Sequence, residues 1–247
     1  LNRRPRVIQE ICRNISARVV LVANNNCMAS CPHYQHHMNL QAHGSQRGHR
    51  SRGFVIDPCT LSCRLARLRD PTLYLKGDWI RPEDADRYQE LGVWALKIVS
   101  RGSPTEVLLR RARAYATRQS GDNMLALMEQ TWDQNRVIEA SSLARKLRFF
   151  FRPWALDPRV LLSLRDLRLG PPEWVRLDSE RLGGHFDNLM RVDCPNANCD
   201  TCGFCAAAVT SALQVDQAAR RKLLRRYERA VDRLNHVGFP VPGPRGR

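Results

Sequence analysis

The sequence has no long hydrophobic run and no recognisable export signal. No window in its 247 residues approaches the ~20 consecutive apolar residues that a membrane-spanning helix needs. The N-terminal segment, LNRRPRVIQEIC, lacks the apolar core of about 7–15 residues that a secretory signal requires. These absences predict a cytoplasmic chain without a membrane span, in a compartment where thiols stay reduced.

Several catalytic signatures are also missing, and acidic residues are scarce. The chain contains no H-E-x-x-H, G-x-S-x-G or P-loop motif, so zinc-protease, serine-hydrolase and P-loop chemistry have no support. Asp and Glu total 24 against 40 Lys and Arg, which gives a net charge of +16. This balance fits an RNA, DNA or acidic protein partner, or arginines on solvated helix faces. Only residues 220–229, RRKLLRRYER, are dense enough to predict a basic patch.

Cysteine, in contrast, is plentiful and clustered. Eight of the nine cysteines form two groups of four, and Cys12 stands alone as a structural cysteine or a weak candidate nucleophile. The first quartet is Cys27, Cys31, Cys59 and Cys63; the second quartet is Cys194, Cys199, Cys202 and Cys205. Four thiolates can enclose one zinc ion or bind the irons of a [4Fe-4S] cluster. In a reducing compartment, metal ligation is a better interpretation of such clusters than disulfides.

The first quartet consists of two C-x3-C pairs that can converge on one cluster from two loops. This spacing suits zinc ribbons less well, because those usually use C-x2-C. Tyr34 stands where the third cysteine of a radical S-adenosylmethionine motif, C-x3-C-x2-C, would be, which disfavours that class. His33, His36 and His37 follow closely and are candidate ligands or acid–base groups, or else polar loop histidines.

The second quartet has two successive x2 spacings, which suit a [4Fe-4S] cluster with Cys194 as the fourth ligand. Zinc is the alternative, with a nearby acid or histidine as a substitute ligand: Asp193, Asp200 or His185. Such a second site could relay electrons to the first, or could clip the C-terminal helix in place.

The pattern of apolar runs predicts an α/β fold. Strands are predicted at 18–23, 72–77 and 93–100, with a polar break at the Asn24–Asn26 triplet. Helices are predicted to open at Pro82 and, through a capping box, at Ser103. Short strand–helix–strand connections indicate parallel strands, whose carboxyl ends carry sites.

Three basic residues near the predicted strand ends are candidates for binding an anionic substrate. They are Lys76, Lys97 and Arg101. Solvated or ion-paired strand-end charges are the alternative interpretation. Because too few strands are visible for a closed barrel, we expect the C-terminal part of a TIM-barrel-like domain, or a smaller open sheet.

The expected organisation has four parts. Residues 1–130 form the partial barrel with the first quartet, and 131–193 a connector of helices and loops. Residues 194–237 form a mostly helical, Cys-rich extension with a metal site, and 238–247 a disordered tail.

The chain resembles the peptidase U32 family, also called collagenase-like peptidases. The resemblance rests on VANNNCMASCPHYQHHMN, the C-x3-C at 59–63, the run from Leu75 through Tyr115, and SGDNML at 120–125. It implies a TIM-barrel-like domain and a [4Fe-4S] cluster held by the first quartet. It also implies oxygen-independent hydroxylation of quinone precursors or ribosomal RNA, as in better understood relatives. The first C-x3-C pair is closer together than in many relatives, and 194–213 resembles a C-terminal extension in one subgroup.

The expected function is therefore that of an iron–sulfur redox enzyme that hydroxylates or otherwise modifies an organic substrate or RNA. Its expected partners are that substrate, an electron donor or acceptor, and a related subunit that supplies the missing barrel half. The alternatives are a peptidase, as the family label says, and a zinc-containing RNA-binding or assembly protein. Thiolates held by a metal are not free nucleophiles, which disfavours the peptidase.

Overall fold

The structure, a computed structural model, describes residues 1–29, 31–44, 46, 58–99, 103–128, 173–194 and 196–236. Within these ranges the α-helices are α1 (Pro5–Asn14), α2 (Tyr34–Gly44), α3 (Pro58–Arg69), α4 (Ala85–Glu90), α5 (Thr105–Thr117), α6 (His185–Arg191), α7 (Cys199–Cys202), α8 (Phe204–Ala212) and α9 (Gln217–His236). The strands are β1 (Val20–Val22), β2 (Asn24–Met28), β3 (Gly77–Trp79), β4 (Ala95–Lys97), β5 (Val175–Leu177) and β6 (Leu213–Val215). Arg101, most of the predicted connector and the predicted tail lie outside the described residues.

The described strands form three separate pairs. Strand β1 is parallel to β4, with Val20 opposite Ala95. The strands predicted at 72–77 and 93–100 do not pair with each other, since β3 pairs with β2 and β4 pairs with β1. The other two pairs, β2 with β3 and β5 with β6, are antiparallel. The mixed α/β class is confirmed, but no described sheet exceeds two strands, so the barrel is not confirmed.

One predicted strand and one predicted polar loop were wrong because side-chain hydrogen bonds override the apolar pattern. The segment predicted as a strand at 72–77 begins as a 3-10 turn, Pro71–Tyr74, because the Asp70 side chain accepts a bond from the Thr72 N–H at 2.9 Å. Strand β3 follows this turn. Strand β1 ends at Val22, before the Asn24–Asn26 triplet as predicted, but this triplet is not a polar loop and starts β2. Asn24 is fully buried, and its side-chain amide bonds the backbone of Val99 and Leu127.

Helix starts were predicted better than caps. The helix predicted from Pro82 is present as a 3-10 turn, Pro82–Asp84, that runs into α4. The predicted cap at Ser103 is wrong: α5 begins at Thr105, and its start has no side-chain cap. Instead, the Ser103 hydroxyl accepts a 2.8 Å bond from the guanidinium of Arg111, which is 1% exposed. The Ser103 hydroxyl therefore bonds the buried guanidinium of Arg111 and does not cap the helix.

The apolar core consists of two clusters. One joins α3, β5, β6, α8 and α9 around residues such as Leu68, Trp79 and Val175. The other joins α1, β1, α4 and α5 around residues such as Ile8 and Tyr88. Burial of these side chains, at about 25 cal/mol per Å² of apolar area, fixes α3 against strand β3 and helix α9.

Polar contacts from α9 also hold the carboxyl end of α3. Arg220 donates to the backbone carbonyl oxygens of Leu68 and Arg69, each at 2.7 Å. These carbonyls have no partner within the helix, so the guanidinium acts as its C-terminal cap. The surface pair Arg69–Glu228, at 3.1 Å, links the same two helices. These contacts fix the position of α3, which carries Cys59 and Cys63 of the first quartet.

Candidate metal centre

All four cysteines of the first quartet line a single cavity of about 420 Å³. Cys27 comes from β2, Cys31 from the turn after it, and Cys59 and Cys63 from α3. None of the four is in a disulfide, and each is half-buried. Both cysteine pairs therefore line one cavity, but Cys59 and Cys63 lie on helix α3 and not on the predicted loop. A cavity of this size lies within the range of about 300–1,000 Å³ typical of ligand and cofactor sites.

A tight turn carries the chain from Cys27 back to Cys31. The Asn25 side chain accepts a 3.0 Å bond from the Cys27 N–H, and the Cys31 N–H donates to the Met28 carbonyl at 3.2 Å. Ala29 N–H donates to the Lys76 carbonyl at 3.1 Å, which ties the turn to the segment before β3. Both cysteines of the pair thus reach the same cavity wall.

On α3, the functional side chains repeat every four residues. Cys59, Cys63 and Arg67 are successive positions of one helical face, because residues four apart on a helix lie above one another. All three line the cavity, and so does the neighbouring Arg64. The sequence C-x3-C-x3-R therefore places two sulfurs and a cation on one wall.

Arg67 joins the two cysteine pairs. Its guanidinium donates to the backbone carbonyl of Asn26, the residue directly before Cys27, and lies 5.2 Å from the centre of the Tyr74 ring. The Arg67 Nε is buried without a hydrogen-bond partner among the described residues. Arg64 donates to the Tyr227 hydroxyl of α9 at 2.9 Å. Contacts from two sides thus hold these guanidiniums in place.

The cavity wall is electropositive. Arg64 and Arg67 are 9% and 7% exposed, and no Asp or Glu is among the described lining residues. Burial raises the pKa of Tyr74 to about 12 although both arginines oppose this rise, so the phenol stays neutral. Four thiolates on a [4Fe-4S] core or on Zn²⁺ carry a net charge of about −2, which would complement the charge of these guanidiniums.

No group of three or more His, Cys, Asp or Glu side chains in the described part of the chain is already arranged as a site for a metal ion. By its chemistry, though not by a preformed arrangement, the first quartet suits two metal groups. Four thiolates can bind the irons of a [4Fe-4S] cluster or enclose one zinc ion.

The predicted substrate-binding residues divide between the cavity and other places. His36 and His37 line the cavity with His33, so the structure brings these histidines to the quartet. Lys76, half-buried before β3, and Lys97, exposed at the end of β4, are not among the described lining residues. Arg101 is outside the described residues, and its role stays a prediction.

The second quartet is separate from this cavity. Cys199 and Cys202 are exposed on α7, whereas Cys194 and Cys205 are half-buried. Gly203, with φ of +63°, connects α7 to α8 in a left-handed conformation that favours glycine.

The structure gives the surroundings of two residues that were considered as substitute zinc ligands, Asp193 and His185. The Asp193 carboxylate accepts two bonds from Arg4, at 2.8 and 3.0 Å. Among the described residues, His185 is buried without a hydrogen-bond partner for either ring nitrogen, with its ring 5.0 Å from that of Trp79. Burial, and then the charges of Arg3 and Arg81, lower the pKa of His185 to about 3, so its imidazole is neutral.

Sequence reasoning missed three arginines at these sites. The helical repeat of Cys59, Cys63 and Arg67 was a signal that could have identified Arg67. Arg64 depends on a contact with α9, and Arg3 faces the second quartet from 191 positions away. Such long-range contacts leave no pattern in the sequence.

The four-cysteine cavity defines a candidate iron–sulfur or metal–thiolate protein, and comparison with known proteins adds a distant relationship. The chain is 26% identical over 215 residues to "Uncharacterized protease MJ1657" of Methanocaldococcus jannaschii, which points to the peptidase U32 family. The alignment covers 87% of the chain and 52% of the relative, so the chain spans about half of that protein's length. No family model and no solved structure matches the chain. No described helix is long and apolar enough to cross a membrane.

Proposed function

We propose that the protein is an iron–sulfur redox enzyme that modifies an organic substrate or RNA by oxygen-independent hydroxylation. The observation that carries this proposal is the meeting of Cys27, Cys31, Cys59 and Cys63 around one cavity. These four thiolates would hold a [4Fe-4S] cluster. When bound, the cluster would supply one-electron transfer between the substrate and an external partner.

The chain's own residues supply charge and proton transfer around that group. The guanidiniums of Arg64 and Arg67 compensate negative charge on the sulfurs and keep the cavity wall electropositive. His36 is exposed and His37 half-buried at the same cavity. Histidine is the side chain best suited to accept and release protons at neutral pH.

The proposed reaction balances only with an electron acceptor. When water supplies the oxygen, a C–H bond of the substrate breaks, a C–O bond forms, and two electrons and two protons leave. The histidines would accept the protons, and a one-electron carrier protein or small redox molecule would take the electrons in two steps. The net positive charge of the chain, +16, favours an anionic substrate such as RNA.

Anaerobic purification tests this proposal. We expect a brown protein with iron and sulfide, and loss of the cavity cluster when Cys59 or Cys63 is replaced by serine. Cys12→Ser is the matched control, because Cys12 packs against Gly92 in the second core cluster and not in the cavity. Iron content unaffected by both cavity substitutions would contradict the proposal.

A peptidase is the second candidate, and one observation favours it beyond the description of the relative as a protease. Thiols and imidazoles share the cavity, and a cysteine next to a histidine is the usual nucleophile–base pair of cysteine peptidases. In this case, metal-free protein would hydrolyse peptides, and a single Cys→Ser substitution in the first quartet would abolish hydrolysis. Under the redox proposal, the metal-free protein hydrolyses nothing.

A further inference from the structure

A buried guanidinium faces the second quartet. Arg3 is 2% exposed; its Nε donates to Cys194 Sγ at 3.1 Å and its Nη2 to Cys205 Sγ at 3.7 Å. These two nitrogens form one edge of the planar group, so a single edge of Arg3 is directed at two sulfurs. Its Nη1 donates to the Leu75 carbonyl at 2.7 Å, which fixes the orientation of that edge.

Arg3 contacts sulfur atoms rather than a carboxylate. Its hydrogen-bond partners among the described residues are two cysteine sulfurs and the carbonyls of Leu75 and Gly77. Thiols that coordinate a metal are deprotonated, and such thiolates would balance the buried guanidinium.

We propose that the second quartet is a metal–thiolate centre and that Arg3 is the positioning residue that orients Cys194 and Cys205 toward the metal. The centre would take a soft metal group, either zinc or an iron–sulfur cluster. Hydrogen-bond donors to ligand atoms are a general feature of such sites, and their loss weakens metal binding. Cys199 and Cys202 are exposed, so metal can reach them from solvent. This centre is additional to the proposed function, since none of its cysteines is among the described residues that line the first cavity.

A cobalt titration of the full chain tests this inference. The chain would carry Cys59→Ser and Cys63→Ser, so that the first quartet cannot dominate the signal, and would be purified free of metal. We expect added Co²⁺ to give the absorption of a tetrahedral thiolate complex. Replacement of Arg3 by Gln should weaken Co²⁺ binding about 10–100-fold. Arg4→Gln is the control, because that guanidinium contacts the Asp193 carboxylate at a half-exposed position and not a sulfur. It should change affinity less than about threefold.

Equal affinities for the Arg3 and Arg4 variants, or no thiolate absorption in the parent chain, would overturn the inference. If Arg3→Gln does not fold, Arg3→Lys replaces it: lysine keeps the charge but loses the two-donor edge. We then expect at least about a tenfold weaker affinity, and an unchanged affinity overturns the role of Arg3.

A second experiment tests which metal group the centre binds. The same parent chain is treated anaerobically either with iron and sulfide or with zinc. A bound cluster or a tightly bound zinc each supports the centre, and binding of neither overturns it. Because the first quartet is disabled in this chain, failure here leaves the proposed function unaffected.

Discussion

Replacement of Arg67 by methionine should lower the reduction potential of the cluster at the first quartet. Arg67 lies 93% buried on the cavity wall, one helical turn from Cys63, and holds the carbonyl that precedes Cys27. Reduction adds one negative charge to the cluster, which this guanidinium stabilises. Removing the guanidinium therefore disfavours the reduced state, and the potential falls.

The size of this shift follows from Coulomb's law. Side chains four residues apart on a helix are separated by about 6 Å, as for Cys63 and Arg67. At this distance and an effective dielectric constant of about 20, one unit charge contributes ~3 kcal/mol. For a one-electron couple, that energy corresponds to a shift on the order of 100 mV.

The assay is a potentiometric titration followed by electron paramagnetic resonance, with iron analysis of each sample. Arg67→Lys keeps the charge and should shift the potential by much less than Arg67→Met. Arg69→Met is the control on the same helix, because Arg69 is exposed and pairs with Glu228. A potential that stays constant or rises in Arg67→Met, with the cluster intact, would refute the electrostatic reasoning.

Three further predictions concern the ligands, a turn and acid stability. Cys27→Ser should remove iron from the cavity whereas Cys12→Ser should not, as measured by iron analysis against a circular dichroism check of folding. Gly92→Ala should lower the free energy of unfolding by more than about 1 kcal/mol in a urea titration, because Gly92 has φ of +100° and an added Cβ would lie 2.8 Å from Cys12 Cβ. An unchanged midpoint of the urea titration would contradict the prediction for Gly92→Ala. The pKa of His185 falls from 6.5 to about 3 on folding, so the unfolded state binds the proton first as the pH falls. Stability should be complete above pH 6.5 and should fall by about 2 kcal/mol by pH 5. His185→Phe should remove that part of the acid sensitivity, and an equal loss in both proteins would exclude His185 as its source.

The sequence allowed the elements around the first quartet to be predicted where local patterns govern them. The short apolar runs at 18–23 and 93–100 predicted the strands β1 and β4. The pairing of these two strands, and the helix α3 that carries Cys59 and Cys63, were not predicted. The meeting of both C-x3-C pairs at one cavity was predicted from spacing and resemblance. In these cases local propensity and tertiary structure agree.

Other features depend on contacts that no local pattern encodes. The Asn24–Asn26 triplet was predicted as a polar break, but the buried amide of Asn24 bonds two distant carbonyls and the triplet begins β2. Ser103 was predicted as a helix cap, but Arg111 uses its hydroxyl. Arg3 and Arg64 reach their sites through contacts 191 and 163 positions apart. Because tertiary hydrogen bonds of this kind compete with local propensity, a single sequence does not reveal them.

The most direct test of the cluster is iron and sulfide analysis of a chain in which all four cysteines of the second quartet are serine. Mössbauer spectra would identify the iron species in the same anaerobic sample. We predict about four irons and four sulfides per folded chain, in the form of one [4Fe-4S] cluster. A folded chain that holds no iron, or holds a single zinc ion at the cavity, would contradict the account.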